Sequence, residues 1–381
     1  MSVRSSGRSA VVLVTAALLL ASCTTPSQPT RPQAASCTTA SVLAGWPLRR
    51  LAEQIVVVPV DENDVSSVRD EVAAGAGGVI LFGSSAPTDL GAQLARLRKA
   101  APGGVAPLVM TDEEGGAVQR MANLVGDIPA ARTMGATMTP RRIRRLAHRA
   151  GTRMRAAGVT MDLAPVLDLD GRPGPSATNP DGTRSFSPHR RVATRAGLAF
   201  AAGLRSAGVI PVVKHFPGLG GATANTDVAP AQTRPWSRLQ HRGLLPFVAA
   251  VRAGIPAVMV ANATVPGLTG RPASLSRAVI SRVLRHRLGF TGLVITDSLS
   301  AVAVSDAGFG VPAASVQALG AGADLVLYGA APDQVGPLTR RTVQAIVSAV
   351  RSGHLARHRL RAAALHVLRA KHVDLCAGTT R

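Results

Sequence analysis

Short apolar runs recur along the chain at 54–60, 78–82, 107–111, 159–163, 209–214, 257–261, 293–296 and 323–328. Most are β-branched and continuous rather than alternating, which is how strands covered on both faces read. Longer amphipathic stretches lie between many of them and predict helices over 89–100, 140–157, 191–207, 244–253, 277–288 and 311–321. Gly158, Gly208, Gly254, Gly289 and Gly322 stand just past five of these helices. Glycine there accepts the left-handed conformation that stops a helix and sends the chain into the next strand. Eight strands alternating with helices predict an α/β fold, a single (β/α)8 TIM-type barrel. An open doubly wound sheet is the alternative, but no G-x-G-x-x-G follows the first strand, which weakens a dinucleotide-binding reading. The C-terminal end reads as helices without evident chemistry.

The first residues follow a different pattern. Arg4 and Arg8 precede an apolar run, 10–20, that is too short to span a bilayer, and Leu20-Ala21-Ser22-Cys23 follows. A Leu, two small residues and a Cys resemble a bacterial lipobox. The resemblance implies a lipoprotein signal peptide over 1–22, cleavage before Cys23, and lipidation of Cys23. That would anchor the chain on the outer face of the membrane rather than through it. Residues 23–42 are rich in Ser, Thr, Pro and Gln near their start and read as a flexible tether, with the barrel over 43–375. The remaining cysteines, Cys37 and Cys376, flank the folded region and can persist as a disulfide outside the cytoplasm.

Composition changes this picture only at the surface. Hydrophobic residues make up 46% of the 381, enough for a large core, but aromatics only 3%, so the core must be Val, Leu, Ile and Ala. The formal net charge is +22, and only three of the 43 basic residues are lysines, Lys99, Lys214 and Lys371. The arginines are scattered, with no aromatic-interleaved patch and no nucleic-acid motif, so nucleic acid is not an expected partner. The charge reads as a surface that tolerates polyanions.

In a barrel, function sits at the C-terminal ends of the strands. The polar residues expected there are Asp112, Glu113 and Glu114 after the third strand and Asp168 after the fourth. Lys214 and His215 end the fifth, Asn262 follows the sixth, and Asp297 and Ser298 end the seventh. That concentration on one rim points to a polar-ligand site.

KHFPG at 214–218, DEEGG at 112–116, LAPVLD at 163–168, RSF at 184–186, PASLS at 272–276 and ITDSL at 295–299 together resemble the N-terminal barrel of glycoside hydrolase family 3. The one-domain form is similar to bacterial β-N-acetylhexosaminidases that trim cell-wall sugars. The likeness spans roughly 45–372. It implies a retaining hydrolase of β-linked sugars in wall material, with Asp297 as the nucleophile that forms a covalent glycosyl-enzyme. It also implies that Asp112, Arg184, Lys214 and His215 bind the sugar through hydrogen bonds to its hydroxyls. Asp168 is expected to support the rim. The partner is then a carbohydrate, met by a monomer. No cofactor is implied, and no metal, because the histidines lack ligand spacing and the mechanism requires none.

The resemblance breaks in one place. In the hexosaminidase branch the loop runs KHFPGHG and, a few residues later, Asp-Ser-His, whose His is the acid/base. Here Leu219 replaces the first His, Asn225 stands where the orienting Asp belongs, and Asp227 stands at the catalytic His. Asn262 replaces a His commonly found after the sixth strand, and Ala117 a frequent Arg. Two readings stay open. Asp227 is itself the acid/base, its pKa raised by an apolar setting or by Asp297, on a loop hinged at 218–221. Alternatively the dyad is lost, leaving a glycan-binding or weakly active lipoprotein. An anionic Asp227 would also repel phosphate, which favours hydrolysis over phosphorolysis.

Overall fold

The computed structural model describes residues 37–377 and, before them, only Ala10. The expected signal peptide and Cys23 lie outside the described residues. The strands are β1 Val56–Asp61, β2 Gly78–Phe82, β3 Leu108–Thr111, β4 Met161–Asp162, β5 Ile210–Phe216, β6 Ala257–Val260, β7 Leu293–Thr296 and β8 Val326–Leu327. All pair in parallel, in the order β7-β6-β5-β4-β3-β2-β1-β8. The ring closes where Ile295 on β7 bridges Leu325, with the Thr296 N–H donating to the Leu325 carbonyl at 3.1 Å. This is the (β/α)8 barrel expected from the sequence.

The strand interiors are fully buried, as continuous β-branched runs require: Val56, Val57 and Val58 on β1, and Val294 and Ile295 on β7. Outside them, helices Pro140–Ala156 and Arg190–Ser206 pack side by side. Gly203 lets them approach, since a Cβ there would stand 2.4 Å from the Arg144 carbonyl oxygen. Val335–Arg351 and Arg357–Ala370 form the expected C-terminal helices.

Several boundaries differ from expectation for local reasons. Gln54 and Ile55 belong to the end of helix Leu48–Glu53, not to β1. The stretch expected as an α-helix over 277–288 is instead a π-helix, Ala278–Arg287. The end of the expected tether is structured: Thr39–Ala44 is a helix whose first turn is capped by Thr38, and Cys37 is joined to Cys376 with 5.9 Å between Cα atoms. Among the described residues no helix is long and apolar enough to cross a membrane.

β8 is shorter than the apolar run 323–328 because Asp324 interrupts it. Its carboxylate, fully buried, accepts the Val294 N–H at 3.0 Å, a place a strand carbonyl would otherwise fill. Arg285 and Arg359 also donate to it, and His366 Nδ1 lies 2.9 Å away. One buried carboxylate thus ties the β7–β8 seam to two outer helices. Burial alone would raise its pKa; His366, Arg285 and Arg359 outweigh that and hold it below the ordinary range.

Asp324→Asn should therefore loosen the barrel at its closing seam. The loss is expected at the low end of about 3–5 kcal/mol, because both guanidinium groups keep some solvent contact. Because the folded-state pKa is depressed, this stabilisation is complete above the unfolded value of about 4 and fades as pH falls through the lower folded value. Urea unfolding of both proteins at pH 7 and pH 3 checks it: the gap between them should narrow at the lower pH.

Candidate active site

Just past β3, Asp112 and Glu114 line the barrel mouth, while Glu113 between them turns to the following loop. The outward Glu113 is buried, and its Oε1 accepts the N–H groups of Arg120 at 2.6 Å and Met121 at 2.8 Å, which folds the following loop back on the strand. Burial pushes its carboxyl up to about 7. On the inward side Lys214, on β5, sits between two carboxylates, 2.6 Å from Asp112 Oδ1 and 2.6 Å from Glu114 Oε1. Arg184 forks onto Glu114, with Nε and Nη2 each at 2.8 Å from its oxygens. Burial would raise Glu114, but Arg184 and Lys214 override it and hold the carboxyl far below the usual range. Burial opposes the charge of Lys214, and Asp112 and then Glu114 outweigh it, raising its pKa. Asp112 Oδ2 has no hydrogen-bond partner among the described residues.

The next residue, His215, is fixed from below. Asp168 Oδ2 accepts its backbone N–H at 2.9 Å and faces its Nδ1 at 2.7 Å; Asp168 Oδ1 accepts the Leu219 N–H. Arg184 Nη2, a donor only, lies 3.5 Å from His215 Nε2. A proton on Nδ1 and a lone pair on Nε2 satisfies both neighbours. Asp168 thus holds both His215 and the start of the loop that follows it. Asp181, fully buried beneath, has no hydrogen-bond partner on either oxygen among the described residues. Burial, and then the Asp168 charge, push its carboxyl well up. Asp168, Asp181 and His215 offer ligand-type atoms within 4.8 Å of one another. Those of Asp168 already take N–H donors, and Arg184 presents its cation to the same place.

Asp297 follows β7, half-buried. Its N–H donates to the Val260 carbonyl at 3.0 Å and its Oδ1 accepts the Ser298 N–H at 2.8 Å, which leaves Oδ2 without a donor among the described residues. Asn262 secures this turn: its Nδ2 donates to the Ser298 carbonyl at 2.7 Å and its Oδ1 accepts Ser274 Oγ at 2.6 Å. Asn262 is thus a brace rather than a sugar ligand.

The loop after β5 reaches over to meet it. Asn225 accepts the Asp227 N–H on its side chain at 3.0 Å, and the Thr226 carbonyl accepts the Ala303 N–H at 3.0 Å, in the short helix Val302–Ser305 beyond Asp297. Asp227 stands at the open edge, an exposed residue. The protein packed around it nonetheless raises its carboxyl, and the Asp297 charge raises it further, while Arg184 and His215 act the other way. Leu219 is buried with Ala222, Ala231, Ala261 and Ala263 in a small apolar cluster under the loop.

Asp112, Arg184, Lys214, His215, Asp227 and Asp297 all line one cavity of about 430 Å³. Two further charged residues line it that sequence reasoning did not assign, Glu114 and Arg120. The Arg120 guanidinium lies 5.9 Å above the Phe82 ring, and its Nε has no partner among the described residues. Spacing held a signal for Glu114, two residues from Asp112. Arg120 gave none, because only the turn held by Glu113 brings it back to the mouth.

Residues 48–370 match the model of the glycosyl hydrolase family 3 N terminal domain. The chain belongs to that family and is an O-glycosyl hydrolase. Beta-hexosaminidase LpqI of Mycobacterium tuberculosis is 36% identical over 317 residues, 81% of this chain and 78% of that one. The solved structure of LpqI from the same organism superposes with a TM-score of 0.78 at 34% identity, covering 88% of this chain and 96% of that one. A beta-N-acetylhexosaminidase structure from Beutenbergia cavernae gives 0.78 at 32% identity, covering 87% and 100%.

Glu114→Gln removes the charge that holds Lys214 and Arg184. Both donors should drift, and misplacement on the ångström scale costs about 100-fold in kcat/KM. Kinetics on a chromogenic glycoside that the parent chain cleaves, beside circular dichroism to confirm folding, checks this. Unchanged kcat/KM in a folded variant would show that Glu114 does not set the mouth.

Proposed function

We propose that the chain hydrolyses β-linked N-acetylglucosamine-type sugars of cell-wall material with retention of configuration. Asp297 acts as nucleophile and Asp227 as acid/base. The carrying observation is that these two carboxylates line one cavity, close enough for the charge of Asp297 to raise the carboxyl of Asp227. The naming of several relatives as beta-hexosaminidases supports the sugar class. Asp112 Oδ2, Lys214, Arg184 and His215 Nε2 supply the donors and acceptors that sugar hydroxyls require.

In the first step Asp297 Oδ2 attacks the anomeric carbon. The bond to the leaving oxygen breaks, and that oxygen takes the proton of Asp227. The ester so formed has no charge on Asp297, so the main electrostatic cause of the raised Asp227 pKa disappears. Asp227, now a carboxylate, takes a proton from water as the water oxygen attacks the same carbon and the ester bond to Asp297 breaks. A carboxyl that alternates in this way needs no separate orienting residue, and Asn225 is occupied in holding the Asp227 backbone.

The test is an activated fluoro-glycoside of the N-acetylglucosamine type, followed by peptide mass spectrometry. The label should appear on Asp297. Asp227→Ala should lower turnover by about 10²–10⁴-fold, and azide should restore part of it. The parent chain should lose activity as pH rises through the raised Asp227 value, a limb that Asp227→Ala should lack. Absence of label together with an indifferent Asp227→Ala would favour the second reading, a glycan-holding protein without turnover, which the missing Asp-x-His pattern at 225–227 supports.

The Leu20–Cys23 pattern supports a further part of the proposal, that the chain is a lipid-anchored extracytoplasmic protein. Cys23→Ala should move it from the membrane fraction to the medium, and continued retention on the membrane would refute the anchor.

A further inference from the structure

We propose that a second cleft, behind the loop that carries Asp227, binds an anionic saccharide unit. The two cavities share a wall. Leu219 faces the catalytic one, and the next two residues, Gly220 and Gly221, line the other, of about 390 Å³. Arg172, Arg234, Arg238 and Arg242 surround this second cavity. Its one carboxylate, Asp170, is already engaged: it accepts the backbone N–H of Arg172 at 2.6 Å, the Arg172 guanidinium at 2.9 Å and the Gly221 N–H at 3.2 Å. Arg242 gives one nitrogen to the Pro188 carbonyl at 3.2 Å. Arg234 lies against Gly221, where a Cβ would stand 2.6 Å from its Nε, and neither Arg234 nor Arg238 has a carboxylate partner among the described residues.

Three guanidinium groups therefore face one concavity without a counter-charge. Walls of low dielectric concentrate such a field, and forked donors match a carboxylate or a phosphate. The cleft is nearly as large as the catalytic cavity, too large for a bare ion. Leu169, Pro188 and Leu239 offer an apolar face for the C–H side of a sugar ring. The shared chemistry of the ligand is an oxyanion on a sugar. The saccharide part of this assignment rests on the glycosidase reading, and the anion part rests on the cleft alone.

The test uses the full-length chain, the pair Arg234→Gln with Arg238→Gln, and a control pair of equal charge change outside the cleft, Arg351→Gln with Arg357→Gln. Binding is measured by calorimetry for oligogalacturonate, for a mannose 6-phosphate oligosaccharide and for a neutral cello-oligosaccharide. One acidic probe should bind at least about tenfold more tightly than the neutral one, and the cleft pair should remove that difference while the control pair keeps it. The stronger acidic probe identifies carboxylate or phosphate as the group read. Turnover of a small chromogenic glycoside should stay within about twofold in the cleft pair, since ordinary surface changes of this kind cost little. Equal loss in both pairs, or no preference for either acidic probe, overturns the proposal. Loss of turnover in the parent chain would instead speak against the glycosidase reading, because binding is measured separately.

Discussion

The site depends on the buried carboxylate of Glu114. Lys214 and Arg184 are both removed from bulk water at the barrel mouth, and a cation moved into such a setting costs several kcal/mol unless matched. Glu114 matches both at once, forked to Arg184 and in contact with Lys214, and Asp112 takes the remaining charge on the lysine. The mouth thereby becomes nearly neutral while its hydrogen-bonding groups stay fixed. A matched, rigid rim matters because, after burial, the Asp297 charge then weighs on the Asp227 carboxyl ahead of the opposing Arg184 and His215. Had the cations been unmatched, they would favour an ionised Asp227, against the proton-donor role proposed for it.

The loop that delivers Asp227 is held by the barrel, not by its own stiffness. Asp168 grips Leu219, Asp170 grips Gly221, the Ala177 carbonyl accepts the Asn225 N–H, and the helix after Asp297 caps Thr226. Leu219 adds an apolar plug among four alanines. In the pattern this chain resembles, a polar pair on the loop orients an acid/base histidine. Here the polar pair has given way to backbone bonds and burial. An imidazole needs a partner to set its tautomer; a carboxyl needs only a raised pKa. With Asp227 in the proposed acid/base role, an aspartate in place of the histidine removes the reason for the orienting acid, and an asparagine that turns the chain serves in its place.

Much of this was legible in the sequence. The eight apolar runs marked the strands because a doubly covered strand has no polar face, and Asp112, Lys214, His215 and Asp297 were visible because each ends such a run. What was hidden depended on distant partners. The DEEGG stretch displayed Glu114, but its role is set by Arg184, 70 residues away, and by Lys214 on another strand. Asp324 lies inside one of the apolar runs; its meaning lies in Arg285, Arg359 and His366, which only closure of the ring brings together. The π-helix 278–287 was unreadable for a related reason, since its apolar positions fit an ordinary helix equally well.

The same loop shows why its glycines are tied to chemistry rather than to mobility. A Cβ at Gly220 would stand 2.3 Å from the Leu169 carbonyl oxygen, and one at Gly221 would meet Arg234. Both glycines thus permit close seating against two neighbouring loops. The sequence invited the opposite view, of a hinge that swings shut. With the loop already lying over the cavity and its backbone committed on both sides, any opening must break bonds to Asp168, Asp170 and the Val302–Ser305 helix together. Those bonds leave from the two faces of a single wall, one turned to the carboxylates and the other to the arginines. The two faces share one strip of backbone, so the placing of Asp227 depends on how Gly220 and Gly221 are seated against their neighbours.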